Sequence, residues 1–152
     1  MRALGAVDVN KPDRDGATAL HHAAYRGHIK VVKLLAEKGN YIHPKLPTDH
    51  AHVGATIDAL DGDGITPLLH AAFTGKLDVV KFLLSKGGNV NHRDGEGGMA
   101  LQNAAFNGHV GVVRILIEAG ADVEITDQGI LYFIVPSIIM EISAFLTISP
   151  KR

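Results

Sequence analysis

The chain of 152 residues has no cysteine, and it has no excess of charge of either sign. Without thiols it has no disulfides, no thiol nucleophile and no thiolate zinc site. Its 15 Lys and Arg residues nearly balance its 16 Asp and Glu residues, so we expect no broadly basic surface for nucleic acid. The segment MRALGAVDVN at 1–10 lacks the apolar run of a secretory signal, which favours a cytoplasmic or nuclear location.

Catalytic sequence motifs are also missing. The chain has no phosphate-binding loop, no Ser, His and Asp in a recognisable catalytic context, and no paired carboxylates in an apolar setting. The glycine-rich DGEGG at 94–98 follows no clear strand and is a poor nucleotide fingerprint. We therefore expect a protein that is not an enzyme and that uses no cofactor.

The chain contains an internal repeat. The segment HAAYRGH at 22–28 has near copies in AAFTGK at 71–76 and AAFNGH at 104–109. Thr66 and Met99, at equivalent points of two copies, are 33 residues apart. Thr18 and Thr66 are 48 residues apart, which is 33 plus an insertion of 15. A fixed period of this length predicts stacked supersecondary units.

Each unit has the pattern of a turn followed by two helices. Asp and Gly, which favour turns, dominate DRDGAT, DGDGIT and DGEGGM at 13–18, 61–66 and 94–99. The second helix has apolar residues at helical spacing, and each helix is followed by a glycine. These glycines are Gly27, Gly75 and Gly108 after the first helices, and Gly39, Gly87 and Gly120 after the second. Paired alanines in each first helix predict close packing of neighbouring units, because larger side chains would overpack the contact.

These motifs resemble those of the ankyrin-repeat family. The family pattern D-G-x-T-P-L-H-x-A-A-x-x-G-H is similar to DGATALHHAAYRGH, DGITPLLHAAFTGK and EGGMALQNAAFNGH. Its G-A-D-V-N is similar to GATID at 54–58, GGNVN at 87–91 and GADVE at 120–124. The resemblance implies an all-α solenoid of stacked helix-turn-helix units joined by β-turn or hairpin fingers.

Two departures from the family pattern concern the contacts between units. The histidine that tethers neighbouring loops in the family is present at His21 but is replaced by Leu69 and Gln102, which puts the tether at those joints in question. In addition, three glycines surround Met99, and they predict a looser third turn. They are Gly95, Gly97 and Gly98.

The repeats divide the chain into an ankyrin-repeat domain at 1–128 and a hydrophobic tail at 129–152. The segments expected within the domain are repeats at about 8–39, 54–87 and 88–120, an insertion loop at 40–54 and a partial fourth finger at 121–128.

The repeat places an aromatic residue at the same point of every unit. The resemblance implies that this point lies on the concave helix face, where partners usually dock, and aromatics and Arg dominate interface energies. The alternative is that the rings only pack on a finger or on the next helix. We expect a monomeric, non-catalytic protein-protein interaction module or scaffold that binds another protein through the concave face and finger loops. The predicted binding residues are Arg14, Tyr25, Arg26, Leu60, Asp63, Ile65, Phe73, Thr74, Arg93, Glu96, Phe106 and Asn107.

The insertion NYIHPKLPTDHAHVG at 40–54 has two prolines and no helical period, which predicts an extended surface loop. Its His43, Asp49, His50 and His52 are of the residue types that bind zinc or nickel. Their spacing matches no rigid template, so we predict solvated loop histidines and no metal site. A metal-binding function remains the less favoured alternative.

The tail has an apolar run of 19 residues with one charge at 130–148, near the length of a membrane span. Three interpretations are open. The run is a membrane anchor, which would make the chain a membrane-tethered adaptor, or a helix that caps the last repeat, or the end of a truncated or alternatively spliced array. Pro136 and Glu141 weaken the first interpretation.

Overall fold

A computed structural model describes residues 8–37 and 54–122 of the chain. This part has six helices and no named strand, which confirms the all-α class predicted from the sequence. The helices are α1 (Ala19–Arg26), α2 (Ile29–Glu37), α3 (Pro67–Phe73), α4 (Leu77–Ser85), α5 (Ala100–Phe106) and α6 (Val110–Glu118). They alternate between the first helices of successive repeats (α1, α3, α5) and the second helices (α2, α4, α6).

Several predictions concern residues outside these ranges. Gly39, the insertion through residue 53, residues 123–128 of the partial fourth finger and the tail at 129–152 all lie there. The domain boundaries drawn through these segments therefore stay predictions.

The turn before each first helix, at 13–18, 61–66 and 94–99, forms the finger of its repeat. An aspartate at the start of each finger stabilises the turn by accepting backbone hydrogen bonds. Oδ1 of Asp13 accepts hydrogen bonds from the backbone N–H groups of Asp15 and Ala17, both at 2.9 Å. Asp61 accepts the equivalent pair at 3.0 and 2.9 Å, and Asp94 accepts it at 3.0 and 2.7 Å. The third turn, for which three glycines predicted a looser structure, thus has the same side-chain hydrogen bonds as the other two.

Neighbouring fingers are joined through their backbones. The N–H of Gly62 donates to the carbonyl of Asp15 at 2.8 Å, and the N–H of Gly95 donates to the carbonyl of Asp63 at 2.9 Å. A Cβ at Gly62 would lie 2.8 Å from the same Asp15 oxygen, and one at Gly95 would lie 2.9 Å from that of Asp63. Glycine is therefore required at both positions, because any side chain would separate the fingers.

The paired alanines allow the first helices to pack closely, as predicted. All six are at most 5% exposed. The first helices pack on one another more extensively than the second helices do. The second helices are therefore the more loosely packed layer of the stack.

The hydrophobic core runs through the stack between the two layers. Equivalent residues fill it in every repeat, and each buried Leu or Val stabilises the fold by roughly 1.5–3 kcal/mol relative to an exposed one. They are Leu20, Leu68 and Leu101 from the first helices, and Val32, Val80 and Val113 from the second.

A further set of hydrogen bonds links each repeat to the next. A side-chain oxygen at one position of each repeat accepts from a backbone N–H in the following repeat. The pairs are Asn10 with Thr56 at 2.7 Å, Asp58 with Asn89 at 3.0 Å, and Asn91 with Asp122 at 2.8 Å. The sequence analysis did not identify these acceptors, although they recur at the spacing of the repeat. The last pair extends the repeat register to Asp122.

The insertion leaves and rejoins the array at neighbouring points. In the second repeat the N–H of Gly88 donates to the carbonyl of Leu83, five residues earlier, at 2.9 Å, and the third repeat has the same bond. In the first repeat the equivalent bond joins the N–H of Ala55 to the carbonyl of Leu35 at 3.0 Å, across 20 residues. The difference between 20 and 5 is the 15-residue insertion, so the array continues through this point in unbroken register.

The first repeat carries an apolar face that is covered in the later repeats. Val31 is 44% exposed, whereas the equivalent Val79 and Val112 are 1% and 2% exposed. Leu34, also in α2, is 49% exposed. The difference arises because α4 and α6 each follow a preceding second helix, and α2 has none among the described residues.

Candidate protein-binding surface

One aromatic ring stands at or near the end of each first helix, and we call these three rings the aromatic row. Tyr25, Phe73 and Phe106 are 47%, 47% and 68% exposed. The alanines that precede them are buried, so each helix turns its small residues into the stack and its ring outward. The stack therefore places the three rings at equivalent, accessible points of three successive repeats.

Tyr25 also contacts the next repeat. Its ring stands edge-on to the ring of His70, with centroids 5.8 Å apart and planes at 84°. The His70 ring is in turn edge-on to that of His21, at 5.8 Å and 86°. Tyr25 thus combines both roles considered from the sequence, because one part of the ring packs on the next helix while the other faces solvent.

An aspartate fixes the orientation of His70. Nε2 of His70 lies 2.9 Å from Oδ2 of Asp61, at the start of the same repeat's finger. Burial raises the pKa of Asp61, but hydrogen bonds from the Ile65 N–H, the His70 ring and the Asp63 N–H outweigh burial and hold that pKa below its ordinary value. Asp61 is therefore a carboxylate at neutral pH, and it positions the ring on which Tyr25 packs.

The first repeat has an equivalent pair, and the third does not. Nε2 of His22 lies 2.7 Å from Oδ2 of Asp13, and this hydrogen bond is the main reason that the pKa of Asp13 is lowered. Asn103 stands at the equivalent position of the third repeat. The histidine-aspartate pairs therefore distinguish the first two repeats from the last.

The other predicted binding residues lie on the fingers or beside the aromatic row. The exposed ones are Arg14, Arg26, Leu60, Asp63, Arg93, Glu96 and Asn107, and Ile65 and Thr74 are half-buried. The Thr74 hydroxyl donates to the carbonyl of His70 at 2.8 Å, and Nδ2 of Asn107 donates to that of Asn103 at 2.9 Å. All twelve predicted positions have accessible surface, but these two side chains are bonded to the ends of their own helices.

Histidine tethers the first repeat to the second, as the resemblance to the ankyrin-repeat family implied. Nε2 of His21 donates to the carbonyl of Ile65 at 3.0 Å, and Nδ1 accepts from the backbone N–H of Thr18 at 3.0 Å. Burial lowers the pKa of His21, so the neutral ring is favoured. Ile65 is thereby held in place at the edge of the predicted surface.

Two other histidines connect the third repeat to the second, in which Leu69 stands at the position equivalent to His21. Nε2 of His92 donates to the carbonyl of Gly64 at 2.8 Å, and Nε2 of His109 donates to the carbonyl of Phe73 at 3.0 Å. The sequence analysis did not identify these two residues. Because His109 bonds to the backbone of Phe73, it fixes the middle ring of the aromatic row relative to the third repeat.

Neither a metal centre nor a membrane-spanning helix is found in residues 8–37 and 54–122. No cluster of three or more metal-ligating side chains occurs in these ranges. Within the same ranges no helix is long and apolar enough to cross a membrane. The insertion histidines and the apolar run at 130–148 lie outside them.

Comparisons with known proteins point to one family. A family model described as ankyrin repeats in three copies matches residues 48–127, which are 80 of the 152 residues. A second model, described as ankyrin repeats in many copies, matches residues 3–36. Inversin of Danio rerio is 47% identical over 38 residues, which are 25% of this chain and 4% of that protein. The chain thus matches a small part of that relative's length.

Proposed function

Because the chain belongs to the ankyrin-repeat family, whose members are generally non-catalytic protein-protein interaction modules, we propose that it binds a partner protein on the aromatic row and the adjoining fingers. Under this proposal the chain is a non-catalytic binding module or scaffold. Its location is cytoplasmic or nuclear, in the absence of an anchor.

The exposure of the aromatic row is the observation that carries the proposal. Three large rings, each about half exposed or more, stand at equivalent points where the repeat could have placed polar residues. Contiguous apolar surface tends to mark interaction sites, and aromatic side chains supply much of the binding energy at interfaces.

The rigidity of the surface also favours binding. The tethers from His21, His92 and His109 fix the fingers and the Phe73 backbone across both joints. A surface ordered before it meets a partner loses less conformational entropy on association, which strengthens binding.

A quantitative affinity capture tests the proposal. The full chain and two triple variants are immobilised, and proteins captured from a cell extract are identified and then purified for binding measurements. The test variant is Tyr25→Ala, Phe73→Ala and Phe106→Ala. The control removes three exposed apolar side chains from the second helices, through Val31→Ala, Leu34→Ala and Val110→Ala.

The expected result is a purified protein that binds the wild type and the control equally but binds the test variant at least ~10-fold more weakly. Circular dichroism spectra and melting temperatures must match among the three chains. If every captured protein binds the folded test variant as tightly as the wild type, the aromatic row is not the docking surface and the proposal fails.

A membrane-tethered adaptor is the alternative function, and it rests on the apolar run at 130–148. Fractionation of cells that express the full chain tests it. Recovery in carbonate-washed membranes supports the anchor, whereas recovery in the cytosol excludes it. Binding through the aromatic row is compatible with either result.

A further inference from the structure

A groove runs between the second helices α2 and α4, whereas the aromatic row belongs to the first helices. Its volume is about 450 Å³. The lining residues are Ile29, Lys33, Asp78, Lys81, Phe82 and Ser85. The groove exists because α2 and α4 are less closely packed than α1 and α3, which leaves the space between the second helices open to solvent.

The half-buried ring of Phe82 lines this groove, and two ammonium groups lie near it. Nζ of Lys33 lies 5.9 Å from the ring centroid, and Nζ of Lys86 lies 5.4 Å from it. Both distances fall within the range of cation-π attraction. The ring therefore holds two positive charges beside an apolar surface.

The charges of the groove are unbalanced. Lys33, Lys81 and Asp78 line the groove with a net charge of +1, and Lys86 beside the Phe82 ring raises the local net charge to +2. In residues 8–37 and 54–122, no salt bridge that includes these lysines is found. The groove thus has positive charge in excess of its carboxylate.

The next joint provides an internal comparison. The positions of Phe82, Ser85 and Lys86 are taken 33 residues later by Ile115, Glu118 and Ala119. The position of Asp78 is taken by Gly111, so the second joint lacks the ring and one lysine, and its one carboxylate is at Glu118 instead. The combination of an aromatic ring with surplus lysines belongs to the first joint and is not a consequence of the repeat.

We propose that the groove between α2 and α4 binds an acidic peptide segment of a partner protein, one that carries a large apolar side chain between carboxylates. The apolar side chain packs on Phe82, and the carboxylates pair with Lys33, Lys81 and Lys86. A peptide is favoured over a membrane surface because the site is concave and confined to one joint. This second site would let the chain hold two partners at once.

Peptide titration tests the groove. Fluorescein-labelled EELFEE, QQLFQQ and KKLFKK peptides are titrated with the full chain in low salt, and anisotropy gives each Kd. We expect EELFEE to bind most tightly and to lose affinity as salt is raised, because salt screens exposed charge pairs. The double variant K33E and K86E is expected to weaken binding at least ~10-fold.

Three further variants of the protein serve as controls. K30E reverses an exposed charge on α2 outside the groove and should leave the Kd nearly unchanged. F82I introduces the residue found at the next joint, and it should weaken EELFEE binding without unfolding the chain. The aromatic-row triple variant should bind EELFEE normally, so failure of the groove and failure of the proposed function are distinguished.

Amide chemical shifts locate the bound peptide. Perturbations confined to α2 and α4 support the proposal. Equal affinity of EELFEE and QQLFQQ, or unchanged binding by the K33E and K86E variant, would overturn it. Lysine-dependent binding to phosphatidylserine vesicles, with no affinity for EELFEE, would also overturn it and would assign the lysines to a membrane surface.

Discussion

The imidazole of His21 joins two repeats, because its Nε2 donates to the carbonyl of Ile65, 3.0 Å away. On the opposite side of the ring, Nδ1 accepts from the N–H of Thr18. Only the neutral tautomer with its proton on Nε2 can make both bonds. The residue is 1% exposed, and burial is the main cause of its lowered pKa.

Replacing His21 by leucine should destabilise the array by roughly 1–3 kcal/mol, since the Ile65 carbonyl and the Thr18 N–H would lose their partners. The variant should still fold, because Leu69 occupies the equivalent position of the second repeat. Urea unfolding followed by circular dichroism measures the change in unfolding free energy.

Glutamine is the control for this experiment. At the third repeat Oε1 of Gln102 accepts from the N–H of Met99 at 3.2 Å, as Nδ1 of His21 accepts from that of Thr18. His21→Gln should therefore retain the local bond, lose the bond to Ile65 and fall between leucine and the wild type. A leucine variant as stable as the wild type would mean that the tether contributes nothing.

The lowered pKa of His21 also predicts a pH dependence. The unfolded chain, with an ordinary histidine pKa near 6.5, binds a proton at a higher pH than the folded ring does. Stability should therefore fall as the pH is lowered through 6.5 toward the folded pKa. The urea concentration at the midpoint of unfolding should decline less steeply between pH 7.5 and 5 in His21→Leu than in the wild type. Parallel plots of this midpoint against pH would contradict the prediction.

The ionisation of Asp61 should make the stability of the fold depend on pH in a second, more acidic range. Because its folded pKa lies below the ordinary value of 3.8, its contribution is present above pH 3.8 and is lost as the pH falls through the folded pKa. Asp61→Asn, which cannot titrate, should lower stability at pH 7 and flatten the acid limb of the curve. An acid limb as steep as that of the wild type would show that other carboxylates dominate acid unfolding.

The repeated features of the fold could be predicted from the sequence because they rest on local chemistry. The finger turns depend on an aspartate and glycines within six residues, and the close packing depends on paired alanines in the same helix. These features predicted the helix pairs, and the repeat predicted the aromatic row, whereas the tether at His21 was implied by the resemblance to the ankyrin-repeat family.

The contacts that the sequence did not reveal join residues far apart in the chain. His109 reaches the backbone of Phe73, 36 residues away, and His92 reaches Gly64, 28 residues away. Their geometry depends on how one repeat sits on the next. The groove around Phe82 likewise depends on the separation of α2 and α4, which no periodicity in the sequence determines.

Phe73→Ala separates binding from packing. The ring is 47% exposed, so its loss should change the melting temperature little. If Phe73 is a central contact, the substitution should weaken binding of the partner identified by affinity capture by roughly 2 kcal/mol or more. Calorimetric titration and thermal melts of the same samples give both quantities. A variant that unfolds but shows no binding defect at low temperature would assign Phe73 to the core.

Two equivalent valines provide a matched test of burial. Val79 is 1% exposed and Val31 is 44% exposed at the same point of consecutive repeats. Val79→Ala should cost roughly 2 kcal/mol, from two lost methyl groups and the cavity that they leave. Val31→Ala should change stability by at most about 0.5 kcal/mol. Equal losses in urea unfolding would indicate that another segment covers α2.

Deletion of residues 40–54 tests whether the insertion is separate from the array. The deletion places Ala55 directly after Gly39, which restores the five-residue spacing between the Leu35 carbonyl and the Ala55 N–H. Shortening this closed segment from 20 residues to 5 halves it twice, and each halving removes about 0.6 kcal/mol of closure entropy. The shortened chain should therefore fold and should be more stable than the wild type by about 1 kcal/mol. A large loss of stability would mean that residues 40–54 contribute packing to the array, whereas a chain of equal or greater stability that still binds its partner would confine the partner surface to the repeats.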